Sequence, residues 1–149
     1  MIYSEEINNQ LNTIIEKNIA AVKGYRETAE NTNNTTFKNM FLEQASKRET
    51  FVSELQAEVT KYGGSPKRDT DFTSDLHRTW IDVKQFFSSN NEEALFEEII
   101  RGEENAVKEY EEVLRETQLT DTSERMLRNQ LAFIKSSVSK MRSLETQVA

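Results

Sequence analysis

The side chains that could do chemistry in this 149-residue chain are mainly carboxylates. The sequence contains 26 Asp and Glu residues, a single histidine, His77, and no cysteine. Two-metal carboxylate sites inside helical bundles also use two histidines, each three residues after a glutamate. A single histidine excludes such a site within one chain, and the lack of cysteine excludes thiolate metal sites and a thiol nucleophile. We therefore predict no catalytic residue, no metal ligand and no cofactor.

A site made of carboxylates alone is the alternative, because many glutamates lie on the predicted helices. The candidates are Glu16, Glu30, Glu43, Glu49, Glu54 and Glu104. Glutamates on exposed helical faces usually serve solubility and pairing with residues four positions away. His77 lies beside Arg78, with Asp75 and Asp82 as possible carboxylate neighbours, and we interpret it as structural because a lone histidine is more often structural than catalytic.

The overall charge and hydropathy exclude several classes of partner. A net charge of -7 without a basic cluster argues against nucleic acid and against an anionic membrane. No basic leader followed by an apolar run begins the chain, and no apolar run approaches the length of a membrane span. We expect a cytoplasmic protein.

The elements that must position these side chains are helices. Apolar residues recur at three- and four-residue steps and predict long helices at about residues 5–30, 36–62, 91–117 and 122–148. Gly63 and Gly64 followed by Pro66 end the second helix. A shorter amphipathic helix is predicted at residues 73–88, inside the long connection between the second and third helices. We predict one all-α domain over residues 1–149, an antiparallel four-helix bundle of ferritin-like topology.

The first and third predicted helices share a sequence pattern. Ile14-Ile15, Ala21-Val22-Lys23 and Tyr25 recur at one constant shift, and their counterparts are Ile99-Ile100, Ala106-Val107-Lys108 and Tyr110. The second and fourth helices match less well, with Gln44 opposite Gln130. We interpret the pattern as an internal duplication of a helical hairpin.

Three segments carry a resemblance to a known family. They are residues 23–30 (KGYRETAE), 76–80 (LHRTW) and 102–110 (GEENAVKEY). With them, nearly the whole chain resembles an uncharacterised bacterial family of ferritin-like four-helix-bundle proteins, known as a domain of unknown function. The resemblance implies the ferritin-like fold and carries no known chemistry.

Mapping the metal ligands of the ferritin-like superfamily onto this chain leaves few of them in place. The glutamates of the first and third helices map onto Asn18 and Glu103, and the Glu-x-x-His of the second helix maps onto Arg48 and Phe51. The corresponding Glu-x-x-His of the fourth helix maps onto Ile134 and Ser137. The resemblance therefore implies a degenerate metal site.

Arg48 is the unusual residue, because it lies on the apolar stripe of the second helix between Ala45 and Phe51. A buried cation needs a partner. We hypothesise a buried cluster of Arg48, Glu103 and Asn18 in which the guanidinium takes the place of a metal. The alternative is that Arg48 extends to an exposed edge and Glu103 faces water.

Aromatic residues offer two further candidates. Tyr25 and Tyr110 lie at equivalent positions of the repeat and are predicted to fill the core, each with its hydroxyl bonded across the bundle. Trp80, Phe86 and Phe87 form an apolar ridge that packs on the bundle or meets another subunit.

By elimination we expect a non-catalytic helical scaffold or stress-associated interaction protein that forms a homodimer and contacts a protein partner. Two alternatives stay open. One is a ferritin-like metal-binding protein or oxidase with a rearranged carboxylate site. The other is a helical bundle that binds a small apolar ligand in its core or beside Trp80.

Overall fold

The computed structural model describes residues 5–68 and 91–149. These residues form four α-helices and no strand: α1 (Glu5–Asn31), α2 (Thr35–Lys61), α3 (Glu92–Glu116) and α4 (Asp121–Val148). The all-α prediction is confirmed. Of the eight helix ends, six differ from the predicted position by one residue and two agree with it. The predicted crossover helix at residues 73–88, with His77, Trp80, Phe86 and Phe87, lies outside the described residues.

Side-chain caps determine where three of the helices begin. Asn34, Asn91 and Thr120 each accept a hydrogen bond from the backbone N–H three residues later, at 3.0, 3.0 and 3.2 Å. Such caps satisfy N–H groups that have no partner within the helix. The helix boundaries are thus encoded by Asn and Thr residues that the sequence places between the apolar stripes.

Glycines end α2. Gly63 has a φ of 83°, in the left-handed region that favours glycine, and the N–H of Gly64 bonds to the carbonyl of Val59 at 3.0 Å. The chain then turns back onto α1, where the Asn12 side chain bonds to the Ser65 carbonyl at 3.1 Å and the Lys67 N–H at 2.8 Å.

The apolar core consists of two clusters, one toward each end of the bundle. One contains mainly aromatic and small residues: Ala20, Ala21, Tyr25, Ala29, Phe37, Met40, Phe41, Ala45, Leu95, Phe96, Ile99, Ile100 and Met141. The other is mainly aliphatic: Leu11, Ile14, Ile15, Ile19, Phe51, Leu55, Val59, Tyr62, Tyr110, Val113, Leu127, Leu131 and Ile134. Between them along α2 and α3 lie the positions of Arg48 and Glu103. A polar layer therefore interrupts the core at mid-height.

The described helices are amphipathic. None of them combines the length and the apolar character that a membrane crossing requires.

Candidate functional site

The polar layer is centred on Arg48. Its side chain is fully buried, as are those of Asn18 and Glu103. The Arg48 Nη1 atom donates to both carboxylate oxygens of Glu103, at 2.6 and 2.7 Å, and Nε donates to Asn18 Oδ1 at 2.6 Å. The structure thus brings together the three residues that the sequence singled out, with the guanidinium of α2 between side chains of α1 and α3.

This arrangement satisfies a charge that would otherwise be costly to bury. The ion pair is neutral as a whole, and hydrogen bonds between ionised partners are stronger than neutral ones. Burial lowers the pKa of Arg48, but the Glu103 carboxylate and the hydroxyls of Tyr110 and Tyr25 raise it more, so the pKa lies above its usual value. The guanidinium is therefore cationic in the core. Its Nη2 atom has no hydrogen-bond partner among the described residues.

Two tyrosines extend the layer on either side of the ion pair. The Tyr25 hydroxyl donates to Glu103 Oε2 at 2.7 Å. The Tyr110 hydroxyl accepts from Asn18 Nδ2 at 2.8 Å and donates to Gln130 Oε1 at 2.7 Å. The Asn18 amide also donates to the Ile14 carbonyl at 3.0 Å. Each polar atom of the Asn18 side chain is therefore used.

These contacts follow the sequence repeat. The shift that relates Tyr25 to Tyr110 also relates Asn18 to Glu103. Tyr25 of α1 bonds to Glu103 of α3, and Tyr110 of α3 bonds to Asn18 of α1. The two equivalent tyrosines therefore bond to two equivalent positions, each on the opposite helix. Arg48 breaks this symmetry, because the repeat places Ile134 at the matching position of α4. The two halves thus share a contact pattern, and the cation of α2 has no counterpart in α4.

Burial suppresses the ionisation of both tyrosines. Loss of solvation raises the pKa of Tyr25 well above its ordinary value, and the adjacent Glu103 carboxylate raises it further. Loss of solvation also raises the pKa of Tyr110, against the opposing effects of Arg48 and the Asn18 hydrogen bond. Both hydroxyls act as neutral hydrogen-bonding groups.

The layer reaches the surface through Gln130 and Glu54, whose contact with it the sequence analysis did not predict. Gln130 is 1% exposed, and its Nε2 donates to Oε1 of the exposed Glu54 at 3.1 Å. A continuous chain of hydrogen bonds therefore runs from Tyr25 to Glu54. The signal for Gln130 was present, since it is a polar residue on the apolar stripe of α4 between Leu127 and Ile134.

A second buried polar group lies where α2 ends and α4 begins. Glu58 is 4% exposed, and one of its oxygens accepts a hydrogen bond from the Ser123 hydroxyl. The Tyr62 hydroxyl lies 2.9 Å from Ser123 Oγ and 3.1 Å from Thr120 Oγ1. These contacts tie the N-terminal cap of α4 to α2. Sequence reasoning missed them, because Glu58 looks like any glutamate of an exposed face.

The residues of the central layer do not fit a metal centre. Both Glu103 oxygens already accept from the Arg48 guanidinium, and Oε2 also accepts from Tyr25. A second cation at this place would meet the guanidinium charge. Among the described residues, no group of three or more His, Cys, Asp or Glu side chains is arranged to hold a metal ion. That the cluster replaces an ancestral metal site stays a prediction.

The candidate interface of Trp80, Phe86 and Phe87 lies outside the described residues, so it also stays a prediction. A comparison with curated proteins finds no match to the chain. A family model described as "Domain of unknown function (DUF2383)" matches residues 6–116, a span that contains Asn18, Arg48 and Glu103 and ends with α3. Because the match covers more than half of the sequence, the chain belongs to the DUF2383 family.

Proposed function

We propose that this protein is a non-catalytic helical scaffold of ferritin-like topology, in which a buried ion pair stands where relatives of that topology hold metal. The observation that carries the proposal is the Arg48 guanidinium, fully buried and bonded to both oxygens of Glu103. A permanent cation at the bundle centre repels a metal ion and saturates the carboxylate that would bind it.

The contacts between helices support the ferritin-like topology. Tyr25 meets Glu103 and Asn18 meets Tyr110, so α1 and α3 run in opposite directions. Phe37 meets Phe96 with ring centroids 5.2 Å apart, and Arg48 meets Glu103, so α2 and α3 run in the same direction. A short hairpin cannot join two such helices, whereas the single long crossover of ferritin-like folds can.

The bonding of the central layer supports the non-catalytic part of the proposal. Arg48, Glu103 and Tyr25 are fully buried and bonded to one another, so none of these titratable groups is presented to a substrate. A cytoplasmic location, a homodimer and a protein partner are also part of this proposal, and they rest on the sequence alone.

The test is the metal content of protein purified without an affinity tag. We expect elemental analysis to find no stoichiometric metal, and a ferrous titration followed by absorbance to show no oxidation above the buffer rate. A ferritin-like protein with an intact two-iron site serves as the positive control.

Stoichiometric iron with ferrous oxidation would contradict the proposal and favour the rearranged carboxylate site. In that case Glu103→Gln should be compared with Glu104→Gln, since Glu104 is half-exposed and pairs with Arg142 on the surface. Loss of iron in the first variant alone would place the site at the bundle centre.

A further inference from the structure

A groove between α2 and α4 has the dimensions of a small-molecule site. It consists of two adjoining cavities of about 460 and 360 Å³ that share Lys47 and Phe133 in their walls. Sites for small ligands commonly occupy 300–1,000 Å³. The larger cavity extends toward Arg125, and the smaller one toward Lys140.

The base of the groove is aromatic. Phe51 and Phe133 meet edge to face, with ring centroids 5.5 Å apart and an interplanar angle of 86°. Phe51 is buried, whereas Phe133 is partly exposed and lines both cavities. The Lys47 ammonium lies 5.7 Å from the centroid of one ring and 5.5 Å from the other. An apolar body resting on Phe133 would therefore have a cation within reach.

The charge of the groove is opposite in sign to that of the protein. The chain has a net charge of -7, yet Lys47, Arg125 and Lys140 line the groove without an ion-pair partner in the part of the chain that the structure describes. Of its two acidic residues, Glu54 accepts a hydrogen bond from Gln130, and Glu43 lies at the end near Lys140. Three cations against two carboxylates give the groove a positive balance that suits an anion.

The polar walls are held in place from within. Gln130 is fixed by its bonds to Tyr110 and Glu54, and the Ser137 hydroxyl donates to Gln44 Oε1 at 3.0 Å. Three of the lining residues with amide or hydroxyl side chains, Gln130, Ser137 and Gln44, are at most 6% exposed. The central hydrogen-bonded layer therefore ends in the wall of this groove, at Gln130 and Glu54.

From these observations we propose that the α2–α4 groove binds a small organic anion with an aromatic or apolar body. The body lies on Phe133, and the anionic group lies against Lys47, with Arg125 or Lys140 as a second cation at either end. This site is separate from the central ion pair, and it adds a ligand-binding role to the scaffold proposed above.

The test compares two fluorescent probes of similar shape, anionic anilinonaphthalene sulfonate and uncharged N-phenylnaphthylamine. We expect the native protein to bind the anionic probe at one saturable site and the uncharged probe more weakly. Lys47→Gln should weaken binding of the anionic probe about fivefold, because an exposed charge contributes up to about 1 kcal/mol. The same change should leave the affinity for the uncharged probe within twofold.

The matched control is Lys38→Gln, which removes an exposed lysine of the same helix that lines neither cavity. It should leave the affinity for both probes unchanged. Phe133→Ala should weaken both probes, and circular dichroism with a thermal melt should show that the variant is folded. Lys140→Gln offers a second charge change that does not touch the aromatic pair.

Three results would overturn the proposal. The first is that the folded native protein shows no saturable binding of the anionic probe. The second is that Lys38→Gln weakens binding as much as Lys47→Gln and Lys140→Gln, which would indicate a general charge effect. The third is a pair of observations: light scattering shows a dimer that Lys47→Gln dissociates, and only the monomer binds the probe. That result would mean that the groove is a contact between two copies of the chain.

Discussion

Replacing Arg48 by methionine removes the cation from the polar layer while keeping an unbranched side chain of similar reach. The variant loses two bonds to Glu103 and one to Asn18, each between 2.6 and 2.7 Å. The Glu103 carboxylate then keeps only the Tyr25 hydroxyl as a side-chain donor among the described contacts. The change therefore leaves an uncompensated charge inside the core.

The expected loss is large, because the pair is fully buried. Removing one partner of a buried ion pair typically costs about 3–5 kcal/mol of unfolding free energy. For a chain of this length, such a loss lowers the melting temperature by about 10 °C.

A surface ion pair of the same length provides the control. Arg26 and Glu49 also meet at 2.6 Å, but their side chains are 51% and 54% exposed. Arg26→Met should cost less than about 1 kcal/mol, because solvent screens an exposed pair. The difference in unfolding free energy between the two variants measures the effect of burial, because both replace an arginine of an ion pair by methionine.

The assay is urea unfolding followed by circular dichroism, applied to a double-mutant cycle of Arg48→Met and Glu103→Gln. The double variant should recover most of the loss, since it removes both charges together. If Arg48→Met and Arg48→Ala each cost less than about 1 kcal/mol, no buried network stabilises the native bundle and the reasoning is wrong.

Three further changes test other contacts. In an alkaline titration followed by tyrosinate absorbance, at least two of the four tyrosines should ionise only as the protein unfolds, because burial raises the pKa of Tyr25 and Tyr110. Their neutral forms stabilise the folded state fully below the unfolded pKa of 10.0, and that stability is lost as the pH rises above it. Gly64→Ala should cost about 1–3 kcal/mol, because the new Cβ would overlap the amide group of the buried Asn8 side chain, and Asn8→Ala, which removes that amide group from α1, should restore most of the loss. Thr120→Ala should cost about 1 kcal/mol in thermal unfolding, since it removes the cap of α4.

Each of these has an outcome that contradicts it. Ionisation of all four tyrosines near pH 10 with the helical signal intact would place Tyr25 and Tyr110 in contact with water. A Gly64→Ala variant as stable as the native protein would show that Asn8 moves aside freely. A Thr120→Ala variant with unchanged stability would mean that the contacts of Ser123 with Glu58 and Tyr62 hold the start of α4 without its cap.

The helices could be predicted from the sequence because their signals are local. Apolar residues at helical spacing, Asn and Thr caps and the Gly63-Gly64 stop each act within one or two turns of the chain. The same stripes singled out Arg48, since a charged residue between Ala45 and Phe51 has no local reason to be there.

The remaining contacts depend on how the helices pack. Glu58 lies on a face that the sequence alone does not distinguish from a solvent-exposed one, and its burial depends on the facing helix. Gln130 lies on the apolar stripe of α4, but its partners Tyr110 and Glu54 come from other helices. The groove is a further example, because Lys47 and Phe133 come from different hairpins and their proximity is a property of the packing between α2 and α4.

The sequence by itself determined that this chain is helical, where the described helices begin and end, and that a two-histidine metal site cannot form within it. These properties follow from residue type and spacing along one chain. Only the tertiary structure decided that both oxygens of Glu103 accept from Arg48 and one of them also from Tyr25. It also decided that the polar layer continues to Glu54 and that three cations line one groove. Those features depend on the relative position of helices far apart in sequence, which is set by the packing of the whole core.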